Sequence, residues 1–580
     1  MILSTAILSF ALAAQAAHKE PPHHRESFVI LLRHHLRSLD PGVAYDQNSY
    51  SIVANLYEPI IAFDGAQDRF KPWLATAVPT KANGLLSADG RTYRFPLRSG
   101  VRFHEGETLT AEDARYSLLR EMLIETPGHS SSLLLRPLLG VDSALDAEGR
   151  WGLEQASVER AVRVEGGELV FELKKPFPGF LAMLAAWPAV MPKSWALAQG
   201  DWDGRIPKPG EPRLAASESL RFHANGTGAY RLVRSTGDGR EAWFERFDGY
   251  WGPAPDIGKV YVRSEPHDAI RAALLRDGEA DYAYVDGSDL AALGAEKDIK
   301  IETGIPNYAT GETMFLTLAL DGKDNSRLGS GLLDGAGIPP DFFKEPQVRQ
   351  AFALSFDFDA YNREALGGYG KHAGGPIAET LLPGKVAPPY PYDLAKAKKL
   401  FKGAYGGLLW KRGFRLVMAY PRGLPRRQAA LEILKRGVEA VNPAFHVDIE
   451  GMHSGDFERE AFSHRLPVSV ISLSPDYPDP HAIAFEFFHS KGLFPRAQAF
   501  ADPELDRLEE EAAAEPDPAA RVAKYIRLEE LAGKRAYQIY TDHHPHVRAH
   551  CVHLRGVEGD HTMGGLGFAN LLYWPSLSRD

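Results

Sequence analysis

Asp476 stands in the run SPDYPDP (474–480), directly after PVSVISL (467–473), a run of apolar and small residues that reads as a buried strand. Open α/β sheets hold ligands outside the carboxyl ends of their strands, and a carboxylate placed there can accept charge-assisted hydrogen bonds from a cationic group. The same Asp, ahead of Pro478 and Pro480, can equally close an Asx turn that needs no ligand. A second group of reactive side chains lies in TDHHPHVRAHCVH (541–553), where His543, His544, His546, His550, Cys551 and His553 are ligand types suited to Zn, Ni or Cu. Side chains of a strand alternate between its faces, so His544, His546, His550 and Cys551 cannot all point one way, and Pro545 adds irregularity. Hydrogen-bonded or solvated histidines are the stronger reading, and no metal ligand set or cofactor is assigned. Enzyme signatures are missing: the chain has no HExxH, no G-x-S-x-G and no P-loop, and Gly565-x-Gly567 lacks the third glycine of a dinucleotide fingerprint.

The elements around Asp476 can be read from periodicity. FRLVMAY (414–420) is a strand, RRQAALEILKRGVEAV (426–441) puts Ala430, Leu434, Val438 and Val441 on one helical face, and AFHVDI (444–449) alternates Phe445, Val447 and Ile449. This is a βαβ unit, hence part of a parallel or mixed sheet. Helix starts are marked by Thr110 with Asp113, by Pro346, by Asp393 and by Asp517-Pro518. Strand and helix signals alternate throughout, which favours an α/β fold.

At 580 residues the chain exceeds the ~250–300 residues that one core can serve, so two or three domains are expected. A net charge of −10 gives no broad basic field for phosphate backbones, which argues against nucleic acid as the main partner. The opening MILSTAILSFALAAQAA has the length and small-residue end of a signal peptide, with Ala14-Gln15-Ala16 as its cleavage site, although no Lys or Arg precedes the apolar run. Cys551, the only cysteine, can form no intrachain disulfide, and no Cys follows the leader to carry a lipid anchor. Nothing later supplies ~20 uninterrupted apolar residues. A soluble exported chain is expected.

One stretch is worded distinctively: GTGAYRLV (226–233), then ERFDGYWG (245–252), then P-x-I-x-K-V (255–260). It resembles the family 5 extracellular solute-binding proteins, the oligopeptide, dipeptide and nickel receptors of ABC importers. SLDPG (38–42), NLYEPIIAFDG (55–65), PWLAT (72–76), SADGRTYRFPLRSGVRFHEGETLTAEDARYSL (87–118), LRDGEADYAYV (275–285), KEPQVRQAFALSFD (344–357) and YDLAKAKKLF (392–401) look like further family elements, in the family's order. The resemblance implies a type II periplasmic-binding-protein fold: two lobes, a hinge, a cleft between them, and an extra domain inserted in the first lobe. It suggests lobe I from 26–63, 205–305 and 536–580, the inserted domain from 64–204, lobe II from 306–535, and hinge crossings near 305 and 535.

In peptide-binding members the Asp of a D-Y-x-[DE]-P motif holds the ligand's amino terminus, and SPDYPDP matches that motif, which favours the ligand reading of Asp476 over the turn. Peptide receptors often carry Trp three residues earlier, where this chain has Leu473, so an aromatic wall is either absent or supplied from elsewhere. Tyr477, Tyr57, Glu58, Tyr308 and Thr310 are further ligand candidates by position, tyrosine offering an apolar ring with a polar tip. The implied function is a monomeric periplasmic receptor that passes short peptides to a membrane permease and its ATPase subunits, touching the membrane only through that complex. A receptor for a metal complex or an oligosaccharide is the alternative, and a hydrolase a remote one.

Overall fold

The computed structural model describes residues 27–64, 69–124, 131–187, 190–285, 288–305, 307–384, 386–557 and 572–579. The expected leader and Gly565-x-Gly567 lie outside the described residues.

The described residues open with strand β1 (Ser27–Leu32) and helix α1 (Gln47–Leu56), whose N-cap Asp46 accepts from the Ser49 amide. Strand β2 (Thr92–Phe95) precedes helix α2 (Ala111–Leu123), which opens on the reciprocal Thr110/Asp113 capping box expected from the sequence. Strands β3 (Val162–Glu165) and β4 (Glu168–Glu172) come next as a tight hairpin. Then come β5 (Tyr230–Ser235), β6 (Glu241–Arg246), β7 (Lys259–Ser264), β8 (Tyr282–Ala283) and β9 (Ile299–Ile305). The later part holds β10 (Thr313–Leu316), β11 (Phe414–Pro421), α3 (Pro425–Val441), β12 (Phe445–Met452), β13 (Val468–Ile471), α4 (Pro518–Arg535), β14 (Gln538–Tyr540) and β15 (His546–Cys551).

Among the described residues the larger sheets are a seven-stranded one, ordered β9-β15-β8-β1-β7-β6-β5, and a five-stranded one, ordered β12-β11-β13-β10-β14. A separate antiparallel sheet, β2-β4-β3, lies within the 64–204 stretch. β1 is parallel to both of its neighbours and buried on both faces. Its side chains obey the period of two: Phe28, Ile30 and Leu32 enter a large core shared with Phe95 and Phe171, while Val29 and Leu31 pack with Leu275, Leu293 and Ala549. The expected βαβ unit forms, with β11 and β12 parallel and α3 burying Ala430, Leu434, Val438 and Val441 against them.

The chain passes between the two large sheets twice, from β9 to β10 and from β14 to β15. β14 still pairs with β10, so the second passage occupies 541–545. The passages touch: the Asn307 side-chain amide donates to the His544 carbonyl at 2.9 Å. A Cβ on Gly311 would lie 1.8 Å from the Asp542 carbonyl oxygen, which is why only glycine fits there.

Candidate ligand-binding site

β11, β13 and β14 run one way and end together, while β10 runs the other way, so Ile471, Pro421, Thr313 and Tyr540 mark one edge of the second sheet. Both chain passages leave from this edge. Thr310, in the first passage, fixes the segment beyond β13: its amide donates to the Leu473 carbonyl and its hydroxyl accepts from the Leu473 amide, both at 2.8 Å. From that double clasp the chain carries half-buried Asp476 outward.

There Asp476 meets residues from the other end of the sequence. The Tyr45 hydroxyl donates to the Asp476 carboxylate across 431 positions. Tyr45 stacks on Trp187, with ring centroids 6.0 Å apart and planes at 10°, and Tyr50 meets the same indole edge-on at 5.8 Å. Burial, then the charges of Glu121 and Asp476, hold the Tyr50 phenol well above its ordinary range. Half-buried Tyr45 thus stands beside the carboxylate with buried Trp187 behind its ring, while Leu473 packs against the core. Neither aromatic was singled out in the sequence. No periodic pattern marks them, because each acts through a contact made only in the folded chain.

Along the same sheet edge runs a polar layer. Arg427, in the first turn of α3, pairs with Glu312 at 2.9 Å and donates to the Ser472 hydroxyl at 3.0 Å. Arg426 donates to His544 Nε2 at 2.9 Å. Since arginine can only donate, that nitrogen accepts, and the proton of neutral His544 sits on Nδ1, which faces Asp542 at 2.6 Å. Burial pushes the Asp542 carboxyl up, but the His544 and Thr541 bonds outweigh it and hold it below the ordinary range.

The other candidates are placed differently. Tyr477 is buried, and burial holds its phenol well above the ordinary range among Asp479, Tyr525 and Glu509. Next to it Asp479 makes a two-pronged pair with Arg521 of α4 at 2.7 Å. Tyr308 is buried in the large core at the first passage. The Tyr57 hydroxyl accepts from the Asn225 amide at 3.2 Å inside the core, and burial keeps its phenol well above the usual value.

Glu58 accepts from Trp73 Nε1 at 2.8 Å, Trp251 Nε1 at 2.8 Å and the Tyr250 hydroxyl at 3.0 Å. Burial lifts its carboxyl to about 7 against the pull of those bonds. It therefore ties three sequence-distant runs together: YEP, PWLAT and DGYWG. Asp40 of SLDPG is engaged in the same way by Arg120 of α2, through two bonds of 2.7 Å, with Asp201 on the guanidinium's other side. His104 of the RFHEG run accepts from the Gly226 amide at Nδ1 and donates from Nε2 to the Gly228 carbonyl at 3.0 Å, and burial lowers its imidazole to about 4.

The profile of the bacterial extracellular solute-binding proteins, family 5, matches residues 69–494. The chain belongs to this family. The Glutathione-binding protein GsiB of Pectobacterium atrosepticum is 26% identical over 384 residues, covering 65% of this chain and 60% of that protein. The dipeptide-binding protein of Escherichia coli K12 is 27% identical over 63% of this chain and 59% of its own length. This family 5 chain thus spans about 60% of the length of the curated relatives it matches. Among solved structures, Helicobacter pylori DppA in complex with peptide STSA superposes with a TM-score of 0.69 at 19% identity, covering 95% of this chain and 98% of that one. The dipeptide binding protein of Pseudoalteromonas sp. SM9913 with Met-Leu gives 0.70 at 19% identity, over 96% and 100%. NikZ of Campylobacter jejuni with Ni(L-His) gives 0.68 at 18% identity, over 96% and 99%. The fold is the type II periplasmic-binding-protein fold expected for family 5, with two lobes, a hinge and a domain inserted in the first lobe.

Proposed function

We propose that this family 5 protein is the periplasmic receptor of an ABC importer, that it captures short peptides between its lobes, and that it passes them unaltered to a permease and its ATPase subunits. One observation carries the reading: Asp476, beyond the carboxyl end of β13, meets Tyr45 from beyond β1, so one carboxylate with aromatic neighbours is shared by the two halves. A ligand's terminal ammonium would pair with that carboxylate beside the Tyr45 hydroxyl, and its apolar parts would lie on Tyr45, backed by Trp187. Thr310 acts as a positioning residue through Leu473, whereas Tyr57, Glu58, Tyr308 and Tyr477 support the lobes from their cores. The lobes we assign are 26–63, 205–305 and 541–580 for the first and 306–540 for the second, with 64–204 inserted; the last boundary traces β14 into the second sheet. The protein works as a monomer, without nucleic acid, and the relatives that bind glutathione and dipeptides agree with a peptide ligand.

A thermal-shift screen tests this. Di- to tetrapeptides with free amino termini should raise the melting temperature, saturating ligand at 100 times its dissociation constant adding about 2.7 kcal/mol. Stabilisation by nickel or copper chelates alone, or by oligosaccharides alone, would replace the peptide assignment. Recovery of cleaved peptide would replace the receptor by a hydrolase.

A further inference from the structure

The histidine-rich segment divides on folding. His544 belongs to the polar layer of the second passage, and His543 pairs as a strand residue with Lys371. At the far end of β15 a different set converges: Cys551, His553 and Asp281, the residue just before β8. His553 Nε2 lies 3.4 Å from Asp281 Oδ1, Cys551 Sγ lies 3.8 Å from the same oxygen, and the three ligand atoms are all within 4.8 Å of one another. Bond lengths of about 2.0–2.1 Å to N and O and about 2.3 Å to S set tetrahedral edges of roughly 3.3–3.6 Å, close to the two separations measured from Asp281 Oδ1. The other carboxylate oxygen of Asp281 is already used, accepting from the Val29 amide at 2.7 Å and from Arg579. Those bonds fix the carboxylate plane and aim Oδ1 at the sulfur and the imidazole, the outer support a ligand carboxylate requires.

We propose that Asp281, Cys551 and His553 form a three-ligand site for a thiophilic divalent cation of the Zn2+ type, with the fourth position open to solvent on the side of half-exposed His553. β15 starts at the second passage and runs six residues to Cys551, so this site lies at the opposite end of the first sheet from the hinge and is separate from the peptide cleft. A bound cation would clip β15 to β8, and through Asp281 to β1 and to Arg579. Loading replaces the thiol proton, which now faces the Ala280 and Asp281 carbonyls at 3.4 Å, so uptake releases a proton and strengthens with rising pH.

Titration of the full, chelator-stripped chain with Co2+ tests this. One equivalent should produce a near-ultraviolet thiolate-to-cobalt band that Zn2+ abolishes. Cys551→Ser should remove the band, and His553→Ala, at a half-exposed position that folding tolerates, should weaken binding by at least about tenfold, a loss that outer-shell changes alone can produce. His543→Ala and Asp476→Asn should leave the titration unchanged. No thiolate band in the wild type, or a band unaffected by His553→Ala, overturns the proposal. So does equal Co2+ affinity in Cys551→Ser, which would move the metal to other histidines. Peptide binding in the cleft is a separate readout, so either assignment can fail without the other.

Discussion

Glu529 of α4 is buried beside Tyr540 and, among the described residues, accepts one hydrogen bond, from the Ile377 amide at 2.8 Å. Burial lifts its carboxyl to about 8, and the better supported Glu58 to about 7. Both folded values lie above the ordinary 4.5, so between 4.5 and the raised value the native state holds protons that the unfolded chain has released. Their contribution is complete at low pH and is lost as pH rises through about 7 and then about 8. Glu529→Gln keeps an acceptor for Ile377 and removes the charge. Its melting temperature relative to wild type should therefore rise between pH 5 and pH 9, by an equivalent of up to roughly 4 kcal/mol. A difference that does not change with pH would show that Glu529 is not the titrating group. Asp476 has the opposite setting, half-buried at a strand end with a partner from the other half of the chain. Its place beyond a strand end could be read from SPDYPDP because a carboxylate, prolines and a preceding apolar strand are all local signals, and the ligand role proposed for it rests on that placement. Tyr45, Trp187 and Asp281 could not be read, since what distinguishes them is a contact across long stretches of chain.

At the scale of elements, local signals worked where geometry is set locally. The Thr110/Asp113 box, the apolar face of 426–441 and the alternation of 444–449 each depend on neighbours within a few residues. Several of the runs that carried the family resemblance have another cause: SLDPG, YEP, PWLAT, RFHEG, GTG and DGYWG meet at buried polar centres at Glu58, Arg120 and His104. The GTG turn shows why its wording is strict. A Cβ on Gly228 would lie 2.6 Å from the Asn55 carbonyl oxygen and 2.7 Å from that of Leu56, both in the last turn of α1, while Gly226 is also bound to His104. Gly228→Ala must push backbone against backbone, and we expect a loss of about 2–4 kcal/mol in denaturant unfolding with the slope unchanged. A loss under about 0.5 kcal/mol would mean that the turn and α1 separate easily.

At the scale of the molecule, two sheets are joined by two passages that are themselves locked together, through Asn307 with His544 and through Gly311 against Asp542. In the proposed receptor this short double joint is the hinge about which the lobes turn. A ligand drives closure only by the extra affinity it has for the closed form, so groups from both lobes must touch it. In the proposed receptor Asp476 from the second and Tyr45 from the first, already hydrogen-bonded to each other, supply that pair. The decisive measurement is calorimetry of one tripeptide, free and N-acetylated, with wild type and with Asp476→Asn. Free peptide should bind wild type best, either change should cost about 2–5 kcal/mol, and the two changes together should cost little more than one. Equal affinity in all four combinations would contradict the account.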